Sequence, residues 1–161
     1  MAFRVGFGFD VHQLEKGEEF WLGGILLDHY KGSVGHSDAD VLIHAICDAL
    51  LGAAALGDIG YHFPDTSEKY KGIDSKILLK QVVKLITKEG YSIGNIDATV
   101  SLQSPKIKPH IQSIREKLAS VMNIHINLVS VKATTTEKLG YVGKEEGVNA
   151  YAICLINSNK N

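Results

Sequence analysis

Residues 36–48 constrain the fold of this chain most, because they combine ionisable side chains with the apolar pattern of a packed helix. Five ionisable side chains other than cysteine lie within these thirteen residues. Asp40, His44 and Asp48 follow one another at intervals of four residues, so a helix would place all three on one face. The remaining positions are mostly aliphatic and would pack in a core. Taken alone, the segment fits a surface helix with a solvated polar side equally well.

We predict that this helix begins near Ser37 or Asp38, because either side chain can cap free N–H groups in its first turn. His36 then lies just outside the positive end of the helix dipole, where anions bind readily. The helix is expected to continue through the alanines at 53–55 and to end at a glycine-flanked turn. Asp58 projects from that turn.

Composition indicates a single domain over residues 1–161, because 161 residues with 45% hydrophobic content can bury a proper core. Seventeen basic and eighteen acidic side chains give a net charge of −1, and no basic stripe indicates a nucleic-acid partner. No apolar run approaches the ~20 residues of a membrane span, and the N-terminus lacks a signal-peptide layout. We expect a cytoplasmic protein, or a plastid-type stromal one if eukaryotic, with Cys47 and Cys154 as buried free thiols.

A metal site is predicted from the end of the first strand. Residues 3–9 alternate large and small side chains as a strand does, and Asp10 and His12 follow. Two residues apart in an extended chain, their side chains point to the same side and can reach one ion. His44 is the candidate third ligand, because a zinc site open for chemistry takes three protein ligands and leaves one position free.

The remaining segments predict alternating strands and helices. They comprise a hairpin over residues 20–27 that turns at Gly23 and Gly24, helices over 73–89 and 109–122, and strands over 96–103, 128–133 and 148–156. Strand, helix and strand in that order indicate a right-handed crossover between parallel neighbours. The fold class we expect is α/β (α+β), with a mixed β-sheet and helices packed on one face.

Three loops carry side chains suited to a phosphorylated ligand. The loop over 62–66 could form a wall of the metal pocket, although an ordinary capped turn is the alternative. The loop over 102–108 follows a strand end and holds two lysines that suit an anion, or that are simply solvated. Hydroxyls at 134–136 lie beside Glu137, which could take a hard cation such as Mg²⁺. A capping box formed by Thr134 and Glu137 is the competing explanation.

Five motifs occur in the order found in one enzyme family. They are Gly8-Phe9-Asp10-Val11-His12, the block from His36 to His44, and the segments at 51–60, 63–66 and 132–140. As a set they resemble 2-C-methyl-D-erythritol 2,4-cyclodiphosphate synthases over about residues 3–156. The resemblance implies a homotrimer with active sites between subunits, in the non-mevalonate route to isoprenoids. It also implies an intramolecular reaction, in which the 2-phosphate of 4-diphosphocytidyl-2-C-methyl-D-erythritol 2-phosphate attacks the β-phosphorus and releases CMP.

The resemblance implies a role for each matching residue. Zn²⁺ is expected on Asp10, His12 and His44, and Mg²⁺ or Mn²⁺ at the substrate diphosphate on Glu137. His36 and Thr135 match transition-state stabilisers, and Ser37 matches the group that orients the attacking phosphate. Contacts to the erythritol part are expected from Asp58, Ile59, Gly60, Phe63, Pro64, Asp65, Thr66 and Ser67. Cytidine contacts are expected from Leu102, Gln103, Ser104, Pro105, Lys106, Ile107, Lys108, Thr134 and Thr136.

Two positions depart from the family pattern. Tyr141 stands where phenylalanine is frequent, and Lys144 where arginine is frequent, near the trimer axis where the resemblance implies a cavity for an isoprenoid diphosphate. Lysine keeps the charge but loses the planar fork that grips phosphate bidentately.

Two other functions fit the same residues. A metal-dependent phosphohydrolase could use the three ligands to activate water, with Asp58 or Asp65 as its base. A non-catalytic nucleotide- or metal-binding trimer is the second. Free phosphate or diphosphate as product would favour the hydrolase, whereas release of CMP with no oxygen from water incorporated into either product would exclude it.

Overall fold

The computed structural model describes residues 2–159, which form a five-stranded sheet, a separate hairpin and helices. The strands are β1 (Phe3–Lys16), β2 (Phe20–Leu22), β3 (Ile25–Leu27), β4 (Lys31–Val34), β5 (Tyr91–Ser101), β6 (Val129–Thr134) and β7 (Gly147–Ser158). The helices are α1 (Val41–Ala53), α2 (Ile59–His62), α3 (Ser75–Lys88), α4 (Ile111–Met122) and α5 (Gly140–Gly143). Short 3₁₀ turns lie at Glu68–Tyr70, Lys108–His110 and Ile126–Leu128.

The sheet is mixed, as predicted. Its strand order is β4-β1-β7-β5-β6, and β5 and β6 are parallel whereas the other neighbouring pairs are antiparallel. Helix α4 connects the two parallel strands, which confirms a crossover over this part of the chain. The hairpin of β2 and β3 turns at Gly23 and Gly24, whose φ angles of 60° and 78° are those a tight two-residue turn requires.

Helix α1 lies directly on the centre of the sheet. A Cβ atom at Gly8 would lie only 1.9 Å from the carbonyl oxygen of Ala45, so the strand and helix backbones approach as closely as glycine allows. Most α1 side chains are fully buried, and α3 and α4 pack on the same side of the sheet as α1. The expected layer of helices on one face is confirmed.

The opposite face of the sheet is apolar and exposed. Because the glycines of β1 face α1, its large side chains point away from the helices. Val5 and Phe7 are 61% and 62% exposed, and Ile153 on the neighbouring β7 is 50% exposed. The alternation in β1 therefore marks two different surfaces, with the small residues on the helix side.

Several predicted boundaries were wrong. Strand β1 continues to Lys16, so Asp10 and His12 lie within the strand and not beyond its end. Helix α1 begins at Val41, not near Ser37 or Asp38, and ends at Ala53. Short helix α2 occupies a segment predicted as a turn, and strand β4 lies where no strand was predicted.

Other predictions agree with the structure. The two cysteines are buried free thiols. Within residues 2–159, no helix is long and apolar enough to cross a membrane.

Candidate metal and substrate site

Three side chains from β1 and α1 form a small triangle of ligand atoms. Oδ2 of Asp10 lies 2.9 Å from Nε2 of His12 and 3.0 Å from Nδ1 of His44. The two imidazole nitrogens are 3.1 Å apart. Atoms that each lie about 2.0–2.1 Å from one tetrahedral ion are about 3.3 Å apart, so the edges of this triangle are within about 0.4 Å of the length that a shared cation requires. The predicted grouping of these three residues is confirmed.

The remaining imidazole nitrogens are hydrogen-bonded in the manner of metal-ligating histidines. Nδ1 of His12 lies 2.9 Å from the carbonyl oxygen of Val34, which can only accept, so this nitrogen carries the proton. When the ring is neutral, as a metal ligand must be, its Nε2 lone pair therefore faces the triangle. Nε2 of His44 lies 2.9 Å from the Ser75 hydroxyl, and the other nitrogen, Nδ1, faces the triangle. One carboxylate and two imidazoles of this kind fit a zinc-type cation.

Proximity shifts the pKa values of two ligands. Burial alone would raise the pKa of Asp10, but hydrogen bonds from His12 and His44 outweigh it and lower the pKa to about 2. Burial alone would lower the pKa of His12, but its contact with Asp10 raises it overall. With no cation between them, the pair favours a carboxylate beside an imidazolium.

Asp40 holds α1 in place and does not belong to the polar face. It is fully buried and caps the helix by accepting from the N–H of Ile43 at 3.0 Å. It also accepts from the N–H groups of Gly23 at 2.9 Å and Gly24 at 2.6 Å, which ties the hairpin to the helix. The prediction that Asp40 shares a ligand-facing side with His44 was wrong, because this residue precedes the first helical turn.

A pocket of about 330 Å³ opens beside the ligand triangle. It brings together residues predicted from four separate motifs, namely His12, His36, Ser37, His44, Ile59, Gly60, Phe63 and Asp65. Its remaining wall is formed by Tyr70, Ile73 and Leu78, which the sequence analysis missed. The signal for Ile73 and Leu78 was the apolar periodicity of the predicted helix over 73–89, which is also the signal of ordinary core residues, and Tyr70 carried no such signal.

The other residues predicted for the erythritol part lie near this pocket without lining it. Asp58 caps α2 by accepting from the N–H of Tyr61 at 2.9 Å. The carbonyl oxygen of Ser67 lies 3.3 Å from Nε2 of His36. Pro64 and Thr66 belong to the same connecting loop.

A second pocket, of about 180 Å³, lies where β5 and β6 end. It is lined by Leu102, Gln103, Pro105, Lys106, Ile107, Lys108, Ala133, Thr134 and Thr135. The predicted loop residues therefore meet at one edge of the sheet. Ser104 and Thr136 each lie next to a lining residue in the sequence but do not line the pocket themselves.

Glu137 lies beside this second pocket in a strained turn. It accepts a hydrogen bond of 3.2 Å from the Thr135 hydroxyl, and its side chain is exposed. Glu137 and Lys138 have φ angles of 53° and 64°, and Thr134 is the last residue of β6. A capping box between Thr134 and Glu137 is therefore excluded, because no helix begins there.

The two pockets are separated across the sheet within one chain. The pairing registers place Val11, Asn149, Ser101 and Thr134 in one row across β1, β7, β5 and β6. Three inter-strand spacings amount to roughly 14 Å. The metal ligands flank Val11, whereas the second pocket lies at the Thr134 end of this row.

Tyr141 and Lys144 lie outside both pockets. The Tyr141 hydroxyl donates to Oδ1 of Asn149 at 2.6 Å, and Nδ2 of Asn149 donates to the Tyr151 hydroxyl at 3.3 Å. This network links α5 to the exposed side of β7.

Comparison with known proteins reveals full-length relatives. The YgbB family model matches residues 3–157. A 2-C-methyl-D-erythritol 2,4-cyclodiphosphate synthase from Bacteroides fragilis is 66% identical over 98% of this chain and 99% of the relative. The Porphyromonas gingivalis enzyme of the same name is 60% identical over 96% of this chain and 95% of the relative.

Solved structures show the same fold. A synthase of this name with CDP bound is 33% identical, with a TM-score of 0.89 over 96% of this chain and 100% of the other. The bifunctional IspDF from Campylobacter jejuni is 39% identical, with a TM-score of 0.94 over 98% of this chain and 42% of the larger protein.

Proposed function

Because this chain belongs to the YgbB family, we infer that it converts 4-diphosphocytidyl-2-C-methyl-D-erythritol 2-phosphate to 2-C-methyl-D-erythritol 2,4-cyclodiphosphate. It is an enzyme, a cyclising phosphorus–oxygen lyase of isoprenoid precursor biosynthesis. The structural observation that carries this function is the triangle of Asp10, His12 and His44 beside a pocket lined by the other predicted motifs.

The reaction demands positioning more than chemical reactivity from the protein. An oxygen of the 2-phosphate forms a bond to the β-phosphorus, and the bond from that phosphorus to the oxygen of the α-phosphate breaks. CMP leaves with the bonding electron pair, so no water is consumed. A phosphoryl transfer of this kind is accelerated by alignment and by neutralisation of charge, and no nucleophilic side chain is needed.

Asp10, His12 and His44 are proposed to hold Zn²⁺. When bound, the ion supplies Lewis-acid polarisation of the phosphoryl oxygens. The fixed tautomer of His12 supports this assignment, because its lone pair faces the other two ligands. Glu137 is proposed to hold Mg²⁺ or Mn²⁺ together with substrate phosphates, which suits a single exposed carboxylate.

The two pockets are proposed to receive the two halves of the substrate. The pocket that contains Ile59, Gly60, Phe63 and Asp65 would take the erythritol part. There His36 stabilises the developing charge and Ser37 orients the attacking phosphate. The pocket between residues 102–108 and β6 would take the cytidine part, with Thr135 at its phosphate side.

A homotrimer with its sites between subunits is proposed as the active form. The exposed apolar face of the sheet supports it, because Phe3, Val5, Phe7 and Phe9 would otherwise face water. The roughly 14 Å between β1, which carries two of the proposed metal ligands, and β6, which borders the second pocket, also favours pairing each metal site with a neighbour's cytidine pocket. We propose a single cyclodiphosphate synthase domain over residues 1–161, located in the cytoplasm.

A phosphohydrolase is less consistent with the site and with the relatives. One of its two candidate bases, Asp58, is occupied as the cap of α2 and does not line the metal pocket. The named relatives are cyclodiphosphate synthases.

The reaction can be followed by phosphorus NMR with the cytidylylated substrate, Zn²⁺ and Mg²⁺ in water enriched in oxygen-18. We expect a cyclic diphosphate together with CMP that contains no heavy oxygen. Free phosphate or labelled CMP would contradict the proposal. His44→Ala should lose zinc and turnover together, whereas Thr135→Ala should slow turnover with little change in substrate affinity.

A further inference from the structure

A chain of hydrogen bonds leads from the metal ligand His44 away from the pocket. Nε2 of His44 lies 2.9 Å from the hydroxyl of Ser75, the first residue of α3. The Ser75 hydroxyl donates in turn to the carboxylate of Asp38. The backbone N–H of Ser75 also donates to Asp38, at 2.9 Å. Ser75 is fully buried, so this contact is part of the interior.

The chemistry of these groups fixes the direction of each proton. A carboxylate only accepts, so the single hydroxyl hydrogen of Ser75 is used toward Asp38. The Ser75 oxygen must then accept from His44, and Nε2 of His44 carries the proton. The lone pair of Nδ1 consequently faces Asp10 and His12, as a metal ligand requires.

We propose that Asp38 and Ser75 are positioning residues that hold His44 in its metal-binding tautomer and orientation. This inference rests on the proposed function for the identity of the metal. Removal of such a partner typically weakens metal affinity about 10- to 100-fold.

The same arrangement separates the tasks of two serines. Oγ of Ser37 also lies near Nε2 of His44, at 3.1 Å, and accepts from the N–H of Ala39 at 3.1 Å. Because the imidazole proton is directed to Ser75, the hydroxyl hydrogen of Ser37 is not used toward His44. The Ser75 oxygen is 3.5 Å away, a long contact that the substrate phosphate can replace as acceptor. Ser75 therefore serves the metal and Ser37 serves the substrate.

The start of α3 holds this chain of hydrogen bonds in place. The N–H of Asp38 donates to the carbonyl oxygen of Ile73 at 3.1 Å. The N–H of Gly72 donates to the backbone carbonyl oxygen of His36 at 2.7 Å. The cap of α3 itself is Asp74, which accepts from the N–H of Lys76 at 2.8 Å and is not bonded to His44. Asp74 is therefore a matched control for damage to the helix start alone.

The test measures zinc dissociation constants of the full-length protein by competition with a chromophoric chelator. Ser75→Ala and Asp38→Asn should each bind zinc about 10- to 100-fold more weakly than wild type. Asp74→Ala should lower the melting temperature of the metal-free protein but leave the zinc dissociation constant within twofold. Ser37→Ala should likewise retain zinc affinity while turnover falls.

The outcomes separate this inference from the proposed function. If wild type binds no zinc, the proposed metal site itself fails. Suppose that wild type binds zinc and that the zinc dissociation constants of both Ser75→Ala and Asp38→Asn lie within twofold of the wild-type value. The positioning role is then overturned and the metal site stands. Should Ser75→Ala not fold, as judged by circular dichroism, the result for Asp38→Asn decides alone.

Discussion

Asp10 and His12 make the stability of the metal-free site depend on pH. The lowered pKa of Asp10 contributes stability that is present above its unfolded pKa of 3.8 and is lost as pH falls toward about 2. The raised pKa of His12 contributes stability that is present below its unfolded pKa of 6.5 and is lost as pH rises through its folded pKa. The pair therefore stabilises the metal-free fold most between about pH 4 and pH 6.5.

We predict opposite pH trends for the metal-free and zinc-loaded proteins. As pH rises above about 6.5, the metal-free protein should lose stability as His12 deprotonates. Zinc should stabilise the fold increasingly over the same range, because protons compete with the metal for the imidazoles. Calorimetric melting temperatures of both forms would measure the difference.

Asp10→Asn is the control for this prediction, because it removes the carboxylate that raises the pKa of His12. Its metal-free form should show a flatter pH profile. Parallel profiles for the zinc-loaded and metal-free wild type would contradict the assignment of these residues as ligands.

The three candidate metal ligands were predictable because the position of each depends on a local period. Asp10 and His12 share a side through the two-residue repeat of a strand, and His44 stands in a recognisable amphipathic segment. The role of Asp40 was not predictable, since two of its three donors, Gly23 and Gly24, are distant in sequence. The role of Ser75 was not predictable for the same reason, because its partners His44 and Asp38 are distant in sequence.

At the scale of elements, the contact between β1 and α1 sets the geometry of the site. Gly8 lies two residues before Asp10 on β1. It packs against Ala45 of α1, which is the residue after His44. Any change in the separation of strand and helix therefore moves one ligand relative to the other two.

Gly8→Ala should destabilise the protein by about 1–3 kcal/mol, or more, because the new methyl group would overlap the backbone of α1. It should also weaken zinc binding, since His44 is carried away from β1. Chemical denaturation and chelator competition would measure the two effects.

Gly52→Ala is the matched control for Gly8→Ala. Gly52 lies in α1 with open space around its Cα, so alanine there should stabilise the helix by about 0.5–1 kcal/mol without affecting zinc. Equal stability of the Gly8→Ala variant and wild type would show that strand and helix separate without cost.

Elements whose apolar periodicity extends over many residues were predicted well, and short elements were not. The helices α3 and α4 and the parallel pair β5 and β6 follow from apolar periodicity over many residues. Strand β4 and helix α2 contain four residues each, which is too short for either period to be visible. Their structure depends on packing against distant segments.

At the scale of the whole molecule, the apolar sheet face is the main feature that periodicity could not assign. In β1 the phenylalanines and valines alternate with glycine, a pattern typical of a strand with one buried side. The structure buries the glycine side under α1 and exposes the other. An exposed face of this kind requires a partner, which a subunit's own sequence pattern does not identify.

Phe7→Glu should convert the proposed trimer to monomers, because it places a charge in the centre of the exposed face. Its side chain points away from α1, so zinc affinity should remain while turnover is lost. Sedimentation velocity and chelator competition would measure both. Ile77→Glu, at a 46% exposed position on α3, is the matched control and should remain trimeric and active. A trimeric, fully active Phe7→Glu variant would refute this interface.

Subunit mixing tests whether active sites form between neighbours. His44→Ala disables the metal site, and Thr135→Ala impairs the second pocket. If each site combines the two halves from different subunits, random trimers of the two variants contain intact sites at about a quarter of their interfaces. Mixed trimers purified through an affinity tag on each variant contain one intact site in three, so they should recover about a third of wild-type turnover. Turnover no higher than the mean of the two parents would place both halves within one subunit.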